Sequence, residues 1–155
     1  MHLYLLRHAD ADTEALHDDD RALSEKGISQ ANRVARFCRV HDILPTIITA
    51  SPIRRADQTA RIVGEHLCIP VDTAAFLSCG MLPETALAEL KTYRAHESVM
   101  LVGHEPDFSR FAGYLLGIGI AANLRVRKAS LTSLRLEALR PATAELDFSL
   151  PCKLM

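Results

Sequence analysis

Arg7 and His8 stand side by side at the end of the apolar run Leu3-Tyr4-Leu5-Leu6. A guanidinium matches phosphate oxygens in a fork, and an imidazole can attack phosphorus. Burying a cation is costly unless it is paired, so the pair suits an anion site better than a core. Two other places carry groups of the same kind. Ser51-Pro52-Ile53-Arg54-Arg55 supplies a hydroxyl and two guanidiniums, and Gly103-His104-Glu105-Pro106 supplies a second imidazole and a carboxylate.

Each of these groups follows a segment that reads as a strand: Leu3–Leu6, Thr46–Ala50 and the apolar Val99–Val102. Helical spacing separates them. Ser24 is expected to cap a helix that turns Ile28, Ala31, Val34, Ala35 and Cys38 inward. Ser51-Pro52 is expected to cap a second, with Ala56, Ala60, Ile62, Val63 and Leu67 on its core side, ending before Pro70. Val71–Leu77 is expected as a strand, Pro83 to about Arg94 as a helix with Leu87 and Leu90 inward, and Pro106 as the start of a helix carrying Phe108, Phe111, Leu115 and Leu116. Leu131–Leu139 and Ala144–Leu150 complete the pattern as two strands turning near Pro141, with an antiparallel place at one edge. The alternation predicts a single three-layer α/β/α domain over residues 1–155, its sheet mainly parallel with helices on both faces. In such a sheet the strand ends gather on one rim beside helix N-termini, which would bring the imidazoles and guanidiniums together as a phosphate pocket.

Bulk properties narrow the classes. With 155 residues, 48% hydrophobic and 24% charged, and a formal net charge of −1, the chain reads as a globular protein without a global nucleic-acid or anionic-membrane footprint. No apolar stretch is long enough to cross a bilayer, and no signal-peptide pattern is read at the N-terminus. Cys38, Cys68, Cys79 and Cys152 form no C-x-x-C pair, so neither a disulfide framework nor a zinc knuckle is expected; Cys38 and Cys68 are read as buried thiols. The histidines show no zinc-ligand spacing, and no Gly-rich nucleotide loop is present. The expected setting is cytoplasmic. Asp10–Asp20 reads as an acidic surface loop, and Arg125, Arg127 and Lys128 as a solvated basic cluster after the turn Gly117-Ile118-Gly119, the alternative being a docking patch for an acidic partner.

Four blocks, taken together, resemble the histidine phosphatase superfamily of phosphoglycerate-mutase-like enzymes. They are Leu6-Arg7-His8-Ala9, Ala22–Ala31 around Leu23-Ser24-Glu25-Lys26-Gly27, Ser51-Pro52-Ile53-Arg54-Arg55-Ala56-Asp57-Gln58-Thr59-Ala60, and Val102-Gly103-His104-Glu105-Pro106. Within that superfamily the chain is most similar to the small bacterial phosphohistidine phosphatases of the SixA type. The resemblance implies His8 as the nucleophile, with Arg7, Arg55 and His104 holding the phosphoryl oxygens; Ser51 is expected as a further phosphate-binding group, and Arg54 falls outside the motif and reads as a rim charge. Ala9-Asp10 stands where larger members carry Gly-Glu, and only about forty residues separate Thr59 from Val99, so the cap over the site should be minimal. Asp10, Glu84 and Glu105 remain the candidates for a proton donor.

The implied reaction is transfer of a phosphoryl group to His8, then hydrolysis, with no metal or cofactor because the guanidiniums neutralise the charge. His8 must be neutral, an effect credited here to the neighbouring cations, and its second ring nitrogen should donate to a carbonyl or carboxylate. The expected substrate is phosphohistidine on a protein. The alternatives are a small phosphomonoester, or a phosphate-binding regulatory module without turnover; nucleic-acid and membrane partners are not expected.

Overall fold

The structure is a computed structural model and describes residues 1–118 and 124–155. Apolar runs become the strands β1 (His2–Arg7), β2 (Ile47–Ala50), β3 (Val71–Thr73) and β4 (Ser98–Gly103), which are parallel to one another. Two further strands, β5 (Leu131–Leu136) and β6 (Ala144–Leu150), are antiparallel at one edge, and the six lie in the order β3-β2-β4-β1-β5-β6.

Alternate residues of the central strands face two separate cores, which is why the interiors of β1 and β4, Leu3–Leu6 and Val99–Val102, are apolar. Leu6, Met100 and Val102 pack on one face under α1 (Glu25–Val40) and α2 (Arg54–Leu67). Leu3, Leu5, Val99 and Leu101 pack on the other under α3 (Pro83–Leu90) and α4 (Asp107–Leu116). The expected three-layer α/β/α domain with a mainly parallel sheet is therefore the observed one. Among the described residues, the connection between β1 and α1 holds a loop with one short turn at Asp18–Asp20, and that between α2 and β4 holds β3, short turns at Ala75–Leu77 and Lys91–Tyr93, and α3, so neither inserts a large cap. No helix among the described residues is long and apolar enough to cross a membrane.

Several local expectations need correction. Ser24 does cap α1, its hydroxyl accepting the Gly27 N–H, but Ile28 is 45% exposed and Gly27 takes the buried position instead. At Gly27 the helix touches the backbone of Asp10: a Cβ there would lie 1.9 Å from the Asp10 carbonyl oxygen. Ile62 is only half-buried. Cys68 is exposed, because it is the left-handed residue that ends α2. The strand expected over Val71–Leu77 stops at Thr73, and Leu77 reaches the core from a 3-10 turn. The helix expected to run to about Arg94 ends at Leu90 and tightens into a 3-10 turn over Lys91–Tyr93. The strand expected to reach Leu139 ends at Leu136. Of the turn at Gly117-Ile118-Gly119, Gly117 closes α4 at φ +71°, and Gly119 lies outside the described residues.

Candidate active site

Strand register places the three distant groups side by side. Arg7 pairs with Gly103 across β1 and β4, and Ala50 pairs with Val102 across β2 and β4. The residues that follow therefore leave the sheet together at its C-terminal rim. The His8 N–H bonds the Gly103 carbonyl at 2.9 Å, and the Ser51 N–H bonds the Val102 carbonyl at 2.9 Å. The His8 and His104 rings lie 5.3 Å apart between centroids, tilted by 52°.

His8 is 7% exposed, and its Nδ1 is 2.7 Å from the Ala9 carbonyl. A carbonyl only accepts, so Nδ1 carries the proton and Nε2 keeps its lone pair. The His8 pKa is pushed down to about 3, first by burial and then by His104, Arg55 and Arg7, with the Ala9 bond opposing. The cations anticipated from the sequence are thus contributors, but removal from water leads.

His104 is buried, and its Nε2 meets the Ser51 hydroxyl at 2.9 Å. Burial, then Arg55, pushes its pKa down to about 4 against the pull of Asp107, Asp19 and Asp18. At neutral pH, His104 is therefore a neutral hydrogen-bonding group rather than a cation. The Ser51 hydroxyl also accepts the Ile53 N–H at 3.2 Å. That bond replaces the expected cap, since α2 begins only at Arg54 and no side chain caps it.

The two guanidiniums are held differently. Arg7 ends β1 half-buried and donates through one terminal nitrogen to the Val126 carbonyl at 2.9 Å, while its Nε is buried without a partner. Arg55, in the first turn of α2, is 5% exposed and donates to both the main-chain carbonyl (2.7 Å) and the carboxylate (3.0 Å) of Asp18. Arg54 is exposed and donates to the Asp20 carbonyl at 3.3 Å. Arg7 Nε and His104 Nδ1 are two buried nitrogens of this rim with no partner among the described residues, each suited to bond an anion's oxygen.

Of the three carboxylate candidates, Asp10 accepts from Lys128 at 2.6 Å and from Ser24 at 2.9 Å, and the Lys128 bond holds its pKa low. Glu84 is exposed in the first turn of α3. Glu105 is half-buried next to His104. One of its oxygens accepts from Ser109 at 2.8 Å and the other is buried without a partner. Burial raises its pKa, with Ser109 and Arg7 opposing.

Two supporting residues carried no assignment in the sequence. Thr59 accepts the Ala9 N–H at 3.1 Å and donates to the Arg55 carbonyl at 2.7 Å, so one hydroxyl ties the backbone after His8 to the backbone of Arg55. Asp18 belongs to the acidic loop, yet it grips Arg55. The only signal was complementarity between the run Asp18-Asp19-Asp20 and the pair Arg54-Arg55. Among the described residues, no group of three or more His, Cys, Asp or Glu side chains is placed to hold a metal ion.

The family model of the histidine phosphatase superfamily (branch 1) matches residues 3–78. An uncharacterized protein of Picosynechococcus sp. is 32% identical over 149 residues, covering 90% of this chain and 88% of its own. Phosphohistidine phosphatase SixA of Escherichia coli is 27% identical over 126 residues, covering 75% of this chain and 72% of its own. The solved protein histidine phosphatase SixA complexed with tungstate superposes at a TM-score of 0.89, with 22% identity and full coverage of both chains. The fold is also that of an alpha-ribazole phosphatase from Shigella flexneri, at a TM-score of 0.81, 17% identity and coverage of 98% and 97%.

Proposed function

This chain belongs to the histidine phosphatase superfamily and is a SixA-like phosphatase; from that premise we propose that it removes the phosphoryl group of phosphohistidine on a protein, through a phosphoenzyme on His8. The observation that carries this reading is the state of His8: neutral, with Nδ1–H anchored on the Ala9 carbonyl and Nε2 free, beside Arg7, Arg55 and His104. Nε2 attacks phosphorus and the bond to the leaving group breaks. Arg7, Arg55 and the His104 Nδ1–H hold the phosphoryl oxygens, with the Ser51 hydroxyl donating to His104 Nε2 and so fixing that tautomer, and charge spread over those oxygens is met by fixed donors rather than by a metal. Water then attacks the phosphohistidine of the enzyme and releases inorganic phosphate, returning His8 to its neutral form.

Glu105 is the proton donor in this reading. Its pKa is raised, one oxygen has no partner, and it adjoins His104, whereas Asp10 is committed to Lys128. The thin covering over the rim leaves room for a side chain presented by another protein, which favours a macromolecular substrate over a metabolite. A cytoplasmic setting belongs to the same proposal, in keeping with four unpaired cysteines.

The test is turnover with a chelator present, comparing a phosphohistidine protein, a phosphoserine peptide, sugar phosphates and para-nitrophenyl phosphate, for wild type and His8→Ala. Preference for phosphohistidine, lost in the variant, is the expected result. Preference for one small phosphomonoester would overturn the substrate, and undiminished turnover by His8→Ala would overturn the mechanism.

A further inference from the structure

The rim of the sheet is electrically lopsided. On its β2 side the acidic turn Asp18–Asp20 lies against Arg54 and Arg55. On its β5 side a groove of about 520 Å³ opens from Arg7 itself, and Lys26, Arg125, Arg127, Lys128 and Lys153 also line it. The one carboxylate in that lining, Asp10, is spent on Lys128 and Ser24. Six cations and one carboxylate leave a net of five positive charges in one groove, on a chain whose formal net charge is −1. Lys26, Arg125, Arg127 and Lys153 are exposed and, among the described residues, make no ion pair within 4.0 Å of an acid. Such a concentration, on a chain that is slightly acidic as a whole, is the footprint of an anionic ligand.

The groove is also coupled mechanically to the candidate nucleophile. Arg7 donates to the Val126 carbonyl at 2.9 Å, the Arg7 N–H bonds the Ser130 carbonyl at 3.1 Å, and the Ala129 N–H bonds the Arg7 and His8 carbonyls at 3.2 and 3.1 Å. A segment seated between Arg125 and Lys153 is thereby held at a fixed offset from His8.

We propose that this groove is a docking site for an acidic polypeptide segment flanking the phosphorylated residue of the protein substrate. The inference rests on the phosphoprotein reading above and adds to it a charge requirement beyond the phosphoryl group. An extended acidic segment suits the site because the cations are spread over α1, the loop before β5 and the C-terminal turn, rather than focused on one point.

The experiment measures kcat/KM for two phosphohistidine peptides of equal length, one with Asp and Glu flanking the phosphorylated residue and one with Ser and Gln, using wild type and Arg125→Gln/Arg127→Gln. Para-nitrophenyl phosphate is the control, because neither arginine belongs to the phosphoryl cradle. At low salt the acidic peptide should be favoured by about tenfold, with the preference fading as potassium chloride rises and absent in the double variant. Hydrolysis of para-nitrophenyl phosphate should be unchanged, which also shows that the variant is folded. Equal kcat/KM for the two peptides, or a preference that survives in the double variant, would overturn the docking site. So would stronger salt-dependent selection for a small bisphosphate than for the acidic peptide. Fluorescence anisotropy of a labelled, unphosphorylated acidic peptide separates the two levels. Binding that weakens in the double variant supports the groove even if phosphohistidine proves not to be the substrate, and absence of binding at low salt counts against it whatever the substrate.

Discussion

Removing His8 from water should make the fold acid-sensitive by a calculable amount. Its pKa is pushed from an ordinary 6.5 to about 3 in the folded protein. The unfolded chain therefore binds this proton far more readily than the folded one. The associated stability is fully present above pH 6.5 and is lost as pH falls from there toward 3. At pH 5 an unfolded-state histidine is protonated in about 97% of chains and the folded His8 in about 1%, a linkage worth about 2 kcal/mol relative to pH 7. His8→Asn keeps the size and polarity but cannot titrate. Urea unfolding followed by circular dichroism, at pH 7 and pH 5 in phosphate-free buffer, should show wild type losing about 2 kcal/mol more than His8→Asn over that interval, equivalent to about 4–8 °C in Tm. Phosphate is left out because an anion bound only by the folded state would stabilise it. His104 shifts in the same direction but is common to both proteins, so it cancels in the comparison. Equal losses in the two proteins would refute both the buried neutral imidazole and the account of why His8 is a competent nucleophile below pH 6.

Three other outcomes follow from the same geometry. Arg7→Ala and Arg55→Ala should each lower kcat by about 100-fold or more in steady-state assays with para-nitrophenyl phosphate, and a loss under tenfold for either would remove it from the phosphoryl cradle. Glu105→Gln should slow alkyl phosphates by about 10- to 100-fold while leaving phosphohistidine within a few-fold, because imidazole departs with little protonation and an alkoxide does not; equal losses on both would count against Glu105 as donor. Gly27→Ala gains about 1 kcal/mol of helix propensity, but its methyl would meet the Asp10 carbonyl oxygen at 1.9 Å and the carbonyl carbon at 2.8 Å. Overpacking against backbone costs about 1–3 kcal/mol or more, so net destabilisation in urea, with reduced turnover because Asp10 follows the His8-Ala9 pair, is expected; a variant as stable as wild type would mean that the contact yields freely.

The sequence by itself determined the layers and the chemical inventory. Apolar runs such as Leu3–Leu6 and Val99–Val102 can be satisfied only by strands buried on both faces, and their alternation with amphipathic helices leaves a mainly parallel sheet as the economical arrangement. Because ligands gather at the C-terminal ends of such strands, Arg7, His8, Ser51, Arg55 and His104 could be brought to one rim without coordinates. What periodicity could not resolve was position within a face: Gly27 rather than Ile28 lies inward because α1 approaches the Asp10 backbone too closely for a side chain. Only the tertiary structure decided the state of the site. The His8 pKa depends on how completely distant segments exclude water from it. Asp18 grips Arg55 from 37 residues away, and Arg7 is tied to Val126 across 119 residues. These quantities depend on distance in space, on burial and on direction, and a chain read in one dimension carries the groups but not the separations that tune them.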